Sequence, residues 1–280
     1  MRVRTSKVFI KSDDYKLKLL ILRPGKREVD KLSPGILWIH GGGYVTGMAG
    51  MVYMSRALNL VKKYGVTVIT PEYRLSGREP YPAALKDCYR ALLYLKKHAD
   101  ELGVRDDQLM VGGESAGGGL AAAVCMYAKD KGRVQIAYQM PLYPMIDNED
   151  TETSRDNHAP VWNTKRNHYG WKQYLKSIEG RKVPAYAAPA RRKDYTRLPP
   201  AYTFICTTEP FYAETLAYVE RLKKAGVEAI VDVYPGLFHA FDMLLPFLKV
   251  SKRAAKNFEE HFEYAMEHYF AKQESGVASH

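Results

Sequence analysis

The chain has 280 residues, 46% of them hydrophobic and 26% charged, which is enough for one substantial core and a length common for a single α/β domain. Its formal net charge is +11, yet the densest basic runs, Arg191-Arg192-Lys193 and Lys252 to Lys256, are short and lack interleaved aromatics, so a nucleic-acid partner is not expected, although the field could favour anionic substrates. Lys11, Asp13, Asp14, Lys16 and Lys18 interrupt the region where a signal peptide needs an apolar run, and no stretch approaches the roughly 18 apolar residues of a membrane span, so a cytoplasmic protein with no membrane span is expected.

Strand patterns come first, at Val3 to Ile10, Leu17 to Leu22 and, after the turn residues Ser33-Pro34-Gly35, Ile36 to Ile39. Helical spacing follows over Met51 to Lys63 and a short apolar strand over Val66 to Ile69. The pattern then alternates. Ala83 to Leu102 reads as a helix, Leu109 to Val111 as a strand, Ala116 to Ala128 as a helix and Ile136 to Leu142 as a strand. Later come a strand at Tyr202 to Cys206, a helix over Tyr212 to Ala225 ended by Gly226, a strand at Ala229 to Tyr234 and a helix from about Val250 to Phe270. The closing residues, 273–280, read as a disordered, dispensable tail. Strands alternating with helices predict an α/β fold: one domain over 1–280, built on a mostly parallel sheet covered on both faces.

Residues 148–186 break this rhythm with polar and aromatic residues, among them Trp162, His168, Tyr169, Trp171 and Tyr174. Long insertions in compact domains usually carry function, so this one reads as a lid whose aromatics form an acyl or alcohol pocket; anchoring a surface excursion is their other possible use. Cys88, Cys125 and Cys206 are odd in number and far apart, which suits small buried hydrophobes and not a disulfide framework or metal site.

The strand Leu109 to Val111 runs into Gly112-Gly113-Glu114-Ser115-Ala116-Gly117-Gly118 and then into a helix. This is GxSxG where the chemistry needs it: a serine on a sharp strand-to-helix turn stands clear of the sheet, and small neighbours let the turn close. By composition alone the string arises in roughly one chain in ten of this length, so its context matters. His40-Gly41-Gly42-Gly43, directly after another strand, supplies that context. Attack on an ester makes an oxyanion, glycines let backbone N–H groups approach it, and the donors are assigned to Gly42, Gly43 and Ala116.

A serine hydroxyl also needs a base. His239, in the loop Pro235 to Phe241 after the last strand, has the chain position required; His98, His261 and His268 fall on charged helical stretches and His158 and His168 in the insertion. The acid that orients His239 should follow a strand between serine and histidine, which selects Glu209 with Asp147 as rival; Asp232 and Asp242 lie too near His239 in sequence.

With these residues placed, the chain resembles the hormone-sensitive-lipase-like carboxylesterases of the α/β-hydrolase fold from about Ile36 to Phe241. The resemblance rests on His40 to Gly43, Pro71-Glu72-Tyr73-Arg74-Leu75, Tyr81-Pro82-Ala83-Ala84, Gly113 to Gly118 and the Gly236 to Phe241 loop. It implies hydrolysis of short-acyl carboxylic esters, acetyl esters included, through an acyl-enzyme and with no cofactor or metal. It makes Glu72 to Leu75 and Tyr81-Pro82 braces for the oxyanion loop, and it implies that homodimers can form at a sheet edge. Three departures stand out: Glu209 and Glu114 occupy positions where Asp is usual, and the segment ahead of His40 is shorter than in many relatives. The last leads us to expect that the insertion alone covers the site, leaving it open or completed by a partner subunit. Amide or peptide hydrolysis uses the same triad and stays open. So does a catalytically silent small-molecule receptor, which the presence of both Ser115 and His239 disfavours.

Overall fold

A computed structural model describes residues 2–26 and 32–273. Eight strands form one sheet in the order β1-β2-β4-β3-β5-β6-β7-β8, with β1 at Val3–Ser12, β2 at Tyr15–Pro24, β3 at Ser33–Ile39, β4 at Thr67–Pro71, β5 at Val104–Glu114, β6 at Tyr138–Leu142, β7 at Ala201–Cys206 and β8 at Ala229–Tyr234. The first two form a hairpin whose tight turn puts Asp13 at φ +50, a region that Asp tolerates better than most residues. β2 pairs antiparallel with β4, and every pair from β4 through β8 is parallel. The central strands β3, β4, β5, β6 and β7 are buried almost throughout, as strands covered on both faces must be.

The helices read from the spacing form, two of them divided, and two further helices appear that the spacing did not announce, one within residues 143–200 and one just after His239. The run expected as one helix over Met51 to Lys63 is a 3₁₀ turn, Ala49–Met54, followed by α1, Arg56–Tyr64. Ser55 makes the break: its backbone is extended and its hydroxyl accepts from the N–H of Ala57, capping the new helix. Ala83 to Leu102 likewise divides at His98 into α2, Ala83–Lys97, and α3, Ala99–Leu102. The remaining helices are α4 at Ala116–Lys131, α5 at Thr164–Leu175, α6 at Tyr212–Lys224, α7 at Phe241–Leu244 and α8 at Lys249–His268. α1 and α8 share one face, where Tyr64 meets Phe262 and bonds Glu263. α2, α4 and α6 cover the other, with Ala122 and Met126 of α4 packing on Tyr218, Val219 and Leu222 of α6.

Between β6 and β7 the chain leaves the sheet for residues 143–200, carrying α5. The three cysteines are free and buried. Gln273 is fixed by hydrogen bonds to the backbone of Gln135 and Asp106, so the expected tail does not include it; residues 274–280 lie outside the described residues. Among the described residues no helix is long and apolar enough to cross a membrane.

Candidate active site

β5 ends at Glu114 and α4 begins at Ala116, and the single residue between them, Ser115, has φ +58 and ψ −120. A non-glycine residue there is strained, so the surroundings must hold it. Its N–H donates to Leu142 O at 3.0 Å and its carbonyl accepts from Met145 N at 3.0 Å, fastening both sides to the end of β6. The glycines on either side are required by close approach. A Cβ on Gly117 would lie 2.1 Å from Ile39 O, and one on Gly113 would lie 2.5 Å from the same oxygen. The tip of β3 therefore presses directly on the turn, bringing His40 to Gly43 alongside Ser115.

The oxyanion loop itself is braced by its aromatic neighbours. The His40 ring stacks on Tyr73 at 4.1 Å and bonds Gly41 O at 2.8 Å, while the Tyr73 hydroxyl donates to His40 O at 3.1 Å. Burial pushes the His40 imidazole down to about 4, so it is neutral at pH 7. Tyr44 stacks on Tyr174 at 4.0 Å and donates to Met145 O at 2.7 Å. Among the described residues no carbonyl or side chain accepts from the N–H groups of Gly42, Gly43 or Ala116, the three assigned as oxyanion donors. Arg74, two residues before Ser76, is pinned by Asp87 through its backbone N–H, Nε and Nη2, and Ser76 N–H in turn holds Tyr44 O at 2.9 Å. Tyr73 and Ser76 thus hold the loop from behind, whereas Tyr81 bonds the carbonyl of Tyr174 and meets its ring at 5.8 Å, reaching the loop only through the Tyr174 stack on Tyr44.

His239 Nε2 lies 2.8 Å from Ser115 Oγ. Its Nδ1 meets Glu209 Oε2, and the second oxygen of Glu209 accepts from Cys206 N–H at 3.0 Å. All three side chains are buried. The loops that carry them are tied together: Gly236 N–H donates to Thr207 Oγ1 at 3.1 Å and Thr208 Oγ1 donates to Leu237 O. Asp147, the rival acid, points elsewhere, to Arg191 and the N–H of Glu149. Among the described residues, the remaining histidines apart from His40 do not enter: His168 pairs with Asp150 and His158 with Asp156, His98 and His268 lie at helix ends, and His261 stacks on Tyr202. Among the described residues no three His, Cys, Asp or Glu side chains converge as a metal site.

A cavity of about 250 Å³ opens above Ser115 and His239. Met51, Met54, Val161, Trp162, Met243 and Leu244 give it an apolar lining. Of the aromatics expected to form a pocket, only Trp162 reaches it. Trp171 and Tyr174 are buried against Tyr44, and Tyr169 is exposed, so the excursion's aromatics divide between pocket and anchor. Met51 and Met54 were not foreseen, because a periodic apolar stripe predicts a core face; here Ser55 breaks the helix and leaves that part of the stripe at the cavity, while Met243 and Leu244 come from the short helix after His239, which no periodicity announced. Such an arrangement can deprotonate a hydroxyl, hold an oxyanion and seat a small apolar group beside it.

Comparison with known proteins agrees with this geometry. A family model described as the alpha/beta hydrolase fold matches residues 36–243. The chain is similar to esterase LipI of Mycobacterium tuberculosis, 30% identical over 75% of this chain and 66% of that protein, just under two thirds of its length. It is similar to an arylesterase of Saccharolobus solfataricus, 29% identical over 83% of this chain and 75% of that one. Among solved structures, a bacterial heroin esterase superposes with a TM-score of 0.89 at 32% identity, covering 94% of this chain and 84% of its own.

Proposed function

The chain belongs to the alpha/beta hydrolase fold family, in its hormone-sensitive-lipase-like group of carboxylic ester hydrolases, and from that premise we propose that it is a serine carboxylesterase acting on short-acyl esters through an acyl-enzyme on Ser115. The reading rests on one observation above the rest: Ser115 Oγ, His239 and Glu209 stand in an unbroken hydrogen-bonded line beneath an apolar cavity.

His239 Nε2 takes the Ser115 proton as Oγ attacks the ester carbonyl carbon. The carbonyl oxygen becomes an oxyanion facing the N–H groups of Gly42, Gly43 and Ala116, and each such donor is worth about 2.7–4 kcal/mol of barrier. Glu209, receiving the Nδ1–H, fixes the tautomer and stabilises the imidazolium. The tetrahedral intermediate collapses as the C–O bond to the alcohol breaks and the imidazolium returns its proton to the departing oxygen. Water, deprotonated by the same nitrogen, then attacks the acyl carbon, and a second collapse frees the acid and restores Ser115. The excursion over residues 148–186 serves as the lid, with Trp162 as the wall that limits the substrate. The cavity of about 250 Å³ is below the roughly 300–1,000 Å³ of drug-sized ligand pockets, which supports small acyl groups such as acetyl.

The test is hydrolysis of p-nitrophenyl esters from acetate to laurate by wild type and Ser115→Ala. Activity is expected to peak at short chains and to vanish with the substitution. Equal rates for the two proteins, or no turnover of any ester together with no labelling of Ser115 by a fluorophosphonate, would remove the reading.

A further inference from the structure

Behind the nucleophile lies a group of buried polar side chains that the triad does not use. Glu114 sits on β5 immediately before Ser115, Asp242 sits on α7 three residues after His239, and Arg56 opens α1. Tyr143, just past β6, faces the His239 ring edge-on at 5.0 Å. All four residues are buried.

Their charges do not balance. The Arg56 guanidinium is claimed by Asp242: its Nε donates to Oδ2 at 2.9 Å, and its Nη2 lies 2.9 Å from the same oxygen while donating to the Asp242 carbonyl at 3.4 Å. Glu114 receives one hydrogen bond, from Trp38 Nε1 to Oε2 at 2.9 Å. Two carboxyl groups and one cation thus share a space from which water is excluded, and an uncompensated buried charge costs several kcal/mol. A single proton resolves this, and its place is Glu114 Oε1, since Oε2 is already accepting. That assignment also suits the rest of the group: Glu114 Oε1, Tyr143 OH and Asp242 Oδ1 are all buried without a partner among the described residues. A protonated Glu114 makes them two donors and one acceptor in place of one donor and two.

We propose that Glu114, carrying a proton, is a positioning residue for the reaction, forming with Tyr143, Asp242 and Arg56 one buried cluster that holds the Ser115 turn and the His239 loop in register. The proposal rests on the esterase reading above. Burial, and after it the nearby charge of Asp242, lift the Glu114 carboxyl to about 8, while Trp38 and Arg56 act in the opposite sense. The hydroxyl of Tyr143 is held far above the ordinary phenol range by burial and then by Asp242 and Glu114, so it remains a neutral donor. Of the groups facing Glu114, then, the carboxyl itself is the one that changes charge in mildly alkaline solution. Ionised, it adds an unpaired charge beside Asp242 and strains both loops that the triad depends on.

The experiment is the pH profile of kcat for wild type and the isosteric Glu114→Gln. Wild-type kcat, and not KM, is expected to fall with a single ionisation near 8, by about tenfold or more at pH ~9.5. In Glu114→Gln the ratio of kcat at pH ~9.5 to that at pH ~7 stays near one. Identical alkaline limbs in the two proteins, or no limb in the wild type, would overturn the proposal, as would a uniform loss in the variant with an unchanged profile. Difference infrared spectroscopy on the wild type needs no active variant. A carboxylic-acid C=O band that disappears on titration near 8 supports the proton on Glu114, and its absence at pH ~6 overturns it. If the wild type neither hydrolyses esters nor takes fluorophosphonate, the esterase reading fails while the infrared titration still decides the cluster.

Discussion

Glu209 and Asp147 both follow strands and both carry a carboxylate, and what separates them is the next shell of contacts. Glu209 gains one anchoring N–H from Cys206 and reaches His239 with its other oxygen, whereas Asp147 is turned away by Arg191. His40 carries a second residue-scale consequence. Its folded-state value of about 4 lies below the ordinary 6.5, so between those limits the unfolded chain binds the additional proton and stability falls as pH falls. The loss should approach about 3 kcal/mol at the acid end of the window. Urea titrations at several pH values should show this slope in the wild type and a shallower one in His40→Gln; parallel slopes would mean that His40 is not the group responsible. The meeting of Ser115, His239 and Glu209 beside the His40–Gly43 loop was legible in the sequence because each falls in a local pattern at a set place in the chain order, although the sequence kept Asp147 as a rival to Glu209. The pairing of Arg56 with Asp242 was not, because its partners are 186 residues apart and neither belongs to a motif.

At the level of elements, the alternation of strands and helices was readable outside the excursion, since buried parallel strands are short apolar runs and the helices carry their own stripes and caps; α5, within the polar and aromatic excursion, was not read. The errors fall where one residue overrides a period. Ser55 and His98 each interrupt a continuous helical pattern, and neither interruption changes the hydrophobic spacing that suggested the helix. The elbow depends on contact between two elements, β3 and α4, at atomic closeness. Gly117→Ala, with its Cβ 2.1 Å from Ile39 O, must push the tip of β3 and the start of α4 apart. Overpacking of this kind costs typically about 1–3 kcal/mol. The expected result is a folded but destabilised protein whose fluorophosphonate labelling slows much more than its melting temperature drops. A variant that labels at the wild-type rate would show that the elbow does not need this contact.

Across the whole molecule, the site is held by parts of the chain that are remote in sequence. Asp87 of α2 illustrates the arrangement: it accepts from Ser12 at the end of β1, at 2.5 Å, and from three donors of Arg74, which leads to the oxyanion loop through Ser76 and Tyr44. Removing one member of a buried pair leaves the other uncompensated, so Asp87→Ala should lose about 3–5 kcal/mol, measured by equilibrium denaturation. A loss below about 1 kcal/mol would mean that Glu79, which already accepts from Arg74 Nη1 at 2.8 Å, and Asp13, 3.9 Å from Nη2, compensate the guanidinium alone. The excursion over residues 143–200 is tied in as closely. The Trp162 ring lies against Gly43, where a Cβ would come within 2.1 Å of it, and Gly170 of α5 packs on the Gly43 carbonyl. In engineering terms, this segment is not a free module. A chimera that borrows the corresponding segment from another esterase to change substrate range also replaces the surface on which the oxyanion loop rests. Exchanges that carry the neighbours of Gly43 with them should keep turnover, and exchanges that do not should lose it even where the new pocket fits its ester.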